Sequence, residues 1–126
     1  MNNQHYVFVY GTLKSGQYNN RVMTLGGNAK LLYGQAEVRG RLYDLGPFPA
    51  MTQEGGKSVK GEVWVVDDDV LERLDHLEGH PQFYKRVQEP LLYSPDFKVW
   101  VYVMPKDRLA HRQATPLPDG IWPNKR

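Results

Sequence analysis

Glu78 is the residue whose placement most clearly suggests chemistry. At about 100° per residue, Leu71, Leu74 and Glu78 fall within about 60° of one another on a helix. A carboxylate therefore stands in the stripe that Leu71 and Leu74 turn toward the core. It also sits in the last turn before Gly79, where the macrodipole disfavours an anion. Desolvation and the dipole both raise a carboxylate's pKa, which suits it to take a proton near neutral pH. A purely structural reading of the same spacing stays open. It is an ion pair with Lys85 or Arg86, or a frayed helix end that leaves Glu78 in water.

The second constellation is the run Tyr6-Val7-Phe8-Val9-Tyr10 followed by Gly11, Thr12, Leu13, Lys14, Ser15 and Gly16. Five aromatic and β-branched residues in a row read as a strand buried on both faces. Gly11 ends it without a side chain to keep a ligand from the backbone. Thr12, Leu13 and Lys14 then present backbone N–H groups that can cradle a carboxylate or phosphate. An ordinary glycine turn leaving a core strand is the plainer alternative.

Other groupings carry less. His76 and His80 are four apart, but Gly79 and Pro81 break the helix there and no carboxylate completes a metal triad. Asp67-Asp68-Asp69 lacks calcium-loop spacing and reads as a helix start. Ser15 and Ser58 have no base nearby in sequence. Trp64, Trp100, Tyr84 and Tyr102 could stack on nucleic-acid bases, although core or pocket lining explains strand aromatics better.

The elements that must position these groups follow from periodicity. Asn19 to Gly27 reads as a short helix with an Asn cap. Residues 36–43 alternate as a half-buried strand. Leu45 to Met51, with Pro47 and Pro49 around Phe48, reads as a stiff extended loop. Residues 59–65 form a third strand. The main helix starts at Asp67-Asp68-Asp69, with Asp69 and Glu72 spaced as a capping box, and carries Val70, Leu71, Leu74 and Leu77 on its apolar side. Residues 83–87, stopped by Pro90, and 97–103 complete the strands. From Lys106 the chain reads as an irregular tail that Trp122 pins to the body, so truncation after Lys106 is expected to leave the fold intact. Strand, helix, two strands, helix, two strands suits a small α+β domain rather than a doubly wound sheet.

Composition narrows the class. The 126 residues suit one domain, 1–126, and a net charge of +2 without basic runs requires no nucleic-acid partner. The absence of cysteine excludes thiolate nucleophiles and disulfides. No stretch approaches the ~20 apolar residues of a spanning helix, and residues 1–5 lack leader features. A cytoplasmic protein is the expectation, with oligomeric state open.

Two segments together resemble the γ-glutamylcyclotransferase-like superfamily. Val9-Tyr10-Gly11-Thr12-Leu13-Lys14-Ser15-Gly16-Gln17 is similar to its signature loop. Leu74-Asp75-His76-Leu77-Glu78-Gly79, followed by Tyr84-Lys85-Arg86, is similar to its catalytic-glutamate segment, and Gly46-Pro47-Phe48-Pro49-Ala50 also fits. Residues 16–22 look most like the γ-glutamylamine cyclotransferase branch and its bacterial relatives. The resemblance implies a small mixed β-barrel with flanking helices. It implies that Tyr10, Gly11, Thr12 and Leu13 hold the glutamyl α-carboxylate, that Tyr84 contacts the substrate, and that Glu78 is the general acid/base. It implies release of 5-oxoproline and a free amine without metal or cofactor. A binding module that keeps the pocket but turns nothing over is the alternative.

Overall fold

The computed structural model describes residues 3–26 and 28–123. The chain runs β1 (His5–Val9), α1 (Arg21–Thr24), β2 (Ala29–Arg39), β3 (Arg41–Asp44), β4 (Pro49–Thr52), β5 (Ser58–Val66), α2 (Asp68–Glu78), β6 (Lys85–Leu91), β7 (Ser94–Val103), α3 (Lys106–Leu109) and β8 (Thr115–Leu117). Five strands close a barrel in the order β1-β5-β2-β6-β7, and β4-β3-β8 form a separate small sheet. The barrel is mixed: β1 lies antiparallel to β5 and parallel to β7, where Val7 faces Trp100.

The unbroken apolar run of β1 now has its reason. Phe8 points inward with Val38, Val63, Val99 and Val101 to fill the barrel. Val7 and Val9 point outward and are covered by Val70, Leu71 and Leu74 of α2. From Val7 to Val9 both faces are dry, so neither can be polar there.

Helix α2 begins earlier than the capping box suggests. Asp67, not Asp69, is the N-cap: its backbone is extended and its carboxylate accepts the Val70 N–H at 2.9 Å. Gly79 ends the helix in the left-handed region, φ 65°, and its N–H returns to the last turn. Leu77 departs from the predicted stripe and is 43% exposed.

Several strand boundaries also depart from the pattern. The strand expected over 36–43 is two strands, because Gly40 turns the chain out of the barrel and into the small sheet. β2 begins already at Ala29, and its register shifts near Tyr33 scramble the alternation that would have revealed it. The end of the proline loop is β4. Pro49 opens that strand, a position where a missing N–H is tolerated. β6 passes through Pro90 instead of stopping there. It pairs with β2 at Val38↔Leu91, and Pro90, which has no N–H to donate, stands outside that pair.

The tail from Lys106 is more ordered than its prolines suggest, since α3 and β8 both lie in it. β8 pairs with β3, and the Lys60 N–H donates to the Gly120 carbonyl at 2.8 Å. Trp122 is 1% exposed and belongs to the barrel-filling cluster. The expectation that the barrel survives truncation after Lys106 is therefore reversed, because the largest side chain of its core lies beyond the cut.

Candidate active site

The C-terminus of α2, the end of β1 and the chain around Phe48 and Phe83 surround a pocket of about 160 Å³. Glu78 and Leu77 line it from the helix, Tyr10 to Leu13 from the loop, Tyr84 from the chain before β6, and Tyr102 from β7. The structure thus brings together all six residues singled out as site candidates: Glu78, Tyr10, Gly11, Thr12, Leu13 and Tyr84.

Among the described residues, the Glu78 carboxylate meets neither a hydrogen-bond donor nor a cation, although its backbone carbonyl accepts the Tyr84 N–H at 3.2 Å. Burial pushes its carboxyl up to about 7. The ion pair offered as an alternative does not form. Arg86 instead engages Asp75, with Nε to Oδ1 at 2.8 Å and Nη2 to Oδ2 at 3.1 Å, and stacks 4.3 Å over Trp100. Asp75 also accepts the Tyr102 hydroxyl at 2.7 Å. This pair ties α2 to β6 and β7 and leaves Glu78 alone.

The tyrosines around Glu78 are held neutral. Burial, then the charges of Tyr84 and Glu78, raise the Tyr10 hydroxyl well above its ordinary range. Burial likewise raises Tyr84 and Tyr102. Their protons are committed elsewhere: Tyr10 donates to the Tyr102 carbonyl at 2.6 Å, Tyr84 to the Pro49 carbonyl at 2.6 Å, and Tyr102 to Asp75. Glu78, by contrast, is raised into the range where it changes protonation near neutral pH.

The loop has two faces. Lys14 is not free as expected, because its N–H closes a turn onto the Gly11 carbonyl at 3.0 Å. The Thr12 and Leu13 N–H groups have no acceptor among the described residues. Asn19 Nδ2 donates to Thr12 Oγ1 at 3.0 Å, and Asn20 Nδ2 to the Leu13 carbonyl at 2.8 Å. The expected Asn cap of α1 does not form. The Asn20 backbone is already helical, so its side chain turns back and braces the loop instead.

The family profile described as gamma-glutamyl cyclotransferase, AIG2-like, matches residues 7–124. This chain belongs to that family. A Vibrio cholerae relative, provisionally named a gamma-glutamylcyclotransferase, is 38% identical over 94% of this chain and 96% of its own length. A Bos taurus gamma-glutamylaminecyclotransferase is 38% identical over 65% of this chain and 53% of its own. The crystal structure of an AIG2-like protein from Mus musculus superposes with a TM-score of 0.74 at 27% identity, covering 98% of this chain and 97% of that one.

Within this family member, sequence reasoning missed the aromatic wall. Phe83 meets Tyr84 edge-on at 5.0 Å and Phe48 at 5.9 Å. Only the prolines around Phe48 signalled that its position is fixed. Gly11 lines the pocket, and a packing contact also requires a glycine there. Its φ is not positive, and a Cβ there would stand 2.5 Å from Pro49 Cγ. Gly11 admits the ring of Pro49, the residue that follows Phe48 and whose carbonyl accepts the Tyr84 hydroxyl. Gly11→Val is therefore expected to displace this wall. It should cost about 1–3 kcal/mol of stability through overpacking. Urea unfolding and steady-state kinetics should show KM rising as well; an unchanged midpoint would contradict the contact with Pro49.

Proposed function

We propose that this chain is a cofactor-independent cyclotransferase that converts a γ-glutamyl amide, of the γ-glutamylamine type, into 5-oxoproline and a free amine. Residues 1–126 act as one domain in this reading, on a small molecule in the cytoplasm. The observation that supports it is the carboxyl of Glu78, without a partner among the described residues, lining one pocket of about 160 Å³ together with Thr12 and Leu13, whose N–H groups are also without an acceptor among those residues.

The substrate carries its own nucleophile. Thr12 and Leu13 N–H groups hold the glutamyl α-carboxylate, with the Tyr10 and Tyr84 rings against the carbon chain. The α-amine arrives mostly as an ammonium ion, and Glu78 takes one proton from it. The freed nitrogen attacks the γ-carbonyl carbon and closes the ring. Glu78 returns the proton to the departing nitrogen, the C–N bond to it breaks, and the second proton shed by the ring nitrogen passes to the released amine, which leaves as an ammonium ion. No water enters, and atoms balance as amide to lactam plus amine. Holding the folded conformer lowers the barrier because attack is intramolecular.

Release of 5-oxoproline from a panel of γ-glutamyl amines tests this reading. The unblocked amides should yield it, and their N-acetyl counterparts should be inert. Binding of the panel without product from any member would favour the binding-module alternative. The pH profile supplies a second test. Below about 7 Glu78 is already protonated and cannot accept the amine proton. kcat/KM should therefore fall on the acid side with a midpoint near 7. A midpoint near the ordinary carboxylate value of about 4.3 would contradict a desolvated base.

A further inference from the structure

We propose that Asp75 is a positioning residue for the base: it engages the Arg86 cation and so keeps Glu78 free to take and return a proton. This rests on the cyclotransferase reading and adds to it the residue that holds a neighbouring charge off the carboxyl.

Arg86 and Tyr102 are cross-strand partners on β6 and β7. Both side chains reach the same carboxylate on α2. Asp75 Oδ1 accepts Arg86 Nε at 2.8 Å and the Tyr102 hydroxyl at 2.7 Å, and Oδ2 accepts Arg86 Nη2 at 3.1 Å. Glu78 lies three residues further along α2, a spacing at which helical side chains are neighbours. The Arg86 and Asp75 side chains are only 18% and 24% exposed, so salt and water screen them weakly. The place of the cation is fixed from two more sides. The Arg86 N–H donates to His80 Nδ1 at 2.9 Å, and the guanidinium stacks on Trp100.

These charges share one neighbourhood with Glu78. Burial raises the Tyr102 hydroxyl first and Asp75 next; Arg86 lowers it and Glu78 raises it, so all three charges act at that one oxygen. The other titratable groups lining the pocket with Glu78 are phenols: Tyr10 at the end of β1, Tyr84 before β6 and Tyr18 from the loop. Arg112, from the tail, stands over Phe83 and acts on Tyr84. Arg86 is the cation bonded to the helix that carries Glu78. Without Asp75 its charge would be buried and uncompensated beside a second carboxyl, and the two would attract. With Asp75 in place, the pair presents almost no net charge to Glu78.

The test titrates Glu78 directly, through the carboxyl ¹³C signal that Glu78→Gln removes, and in parallel through the acid limb of kcat/KM. Asp75→Asn leaves the Arg86 charge uncompensated, so the Glu78 midpoint should fall from near 7 by about 1–2 pH units. Arg86→Gln leaves the Asp75 charge instead, and the midpoint should rise by about as much. Asp75→Asn/Arg86→Gln removes both charges and should return the midpoint close to that of the parent. The opposite signs are what a purely structural pair would not give, because loosening α2 admits water and lowers the midpoint in both single variants. Movement in the same direction in both, or in neither, would overturn the proposal. Where Asp75→Asn does not fold, a rise in Arg86→Gln that the double variant reverses supports the proposal, and its absence overturns it. The ¹³C signal needs no substrate, so failure of the cyclotransferase reading is recognised separately, as absence of 5-oxoproline from the wild-type chain.

Discussion

Glu78→Gln is expected to lower kcat by about 10²–10⁴-fold, the usual worth of a positioned general base. Glutamine has nearly the same shape and keeps hydrogen-bonding capacity, but it cannot accept the proton of the α-amine. Substrate should still bind, because its carboxylate is assigned to the loop. The same substitution reports on stability with a definite sign. The folded carboxyl titrates near 7, whereas an unfolded glutamate titrates near about 4.3. Between those values the folded state holds the extra proton, so the parent loses stability as pH rises through that window. The loss reaches at most about 4 kcal/mol, and less to the extent that the pocket hydrates the half-buried side chain. The amide that replaces the carboxyl does not titrate. The variant should therefore melt above the parent at pH 8, with the difference vanishing at about pH 4. A buried ion pair would give the reverse, a variant weakened at neutral pH. The engagement of Arg86 by Asp75 already argues against that pair.

Trp122→Ala is expected to cost about 3–5 kcal/mol, the range for emptying an aromatic site in a core. Trp122 is the largest of the fully buried side chains and fills the barrel with Phe8 and Met51. Its carbonyl accepts Lys14 Nζ at 2.8 Å, which links the tail to the end of the signature loop. Truncation after Lys106 removes this side chain together with β8 and should abolish the cooperative unfolding transition. A truncated chain with an unchanged urea midpoint would show that the barrel closes without its tail.

How far the sequence discloses this molecule depends on the type of signal. β5 and α2 are legible within a residue or two, because one face of each is dry and period carries the information. Glu78 is legible for the opposite reason: it breaks the period of a helix that otherwise obeys it. β2 is hidden because Leu31, Leu32 and Tyr33 are exposed and a bulge displaces them. β4 and β8 are hidden by prolines, which punctuate a sequence as loops yet are compatible with strand ends and edges. The loop's supports are the least legible part. Asn19 and Asn20 carry the composition of a helix cap, and only the folded chain shows them turned toward Thr12 and Leu13. Nor could spacing show that Gly11 serves Pro49, a contact between distant segments with no periodicity linking them.

The central claim is that the substrate's own amine, not water, attacks the γ-carbonyl. Turnover of one accepted γ-glutamyl amide in H₂¹⁸O, with mass analysis of every product, tests it most directly. The account predicts 5-oxoproline and the free amine in equal amounts, with no solvent oxygen in the ring. Glutamate carrying ¹⁸O in its γ-carboxylate would contradict it, because Glu78 would then be activating water.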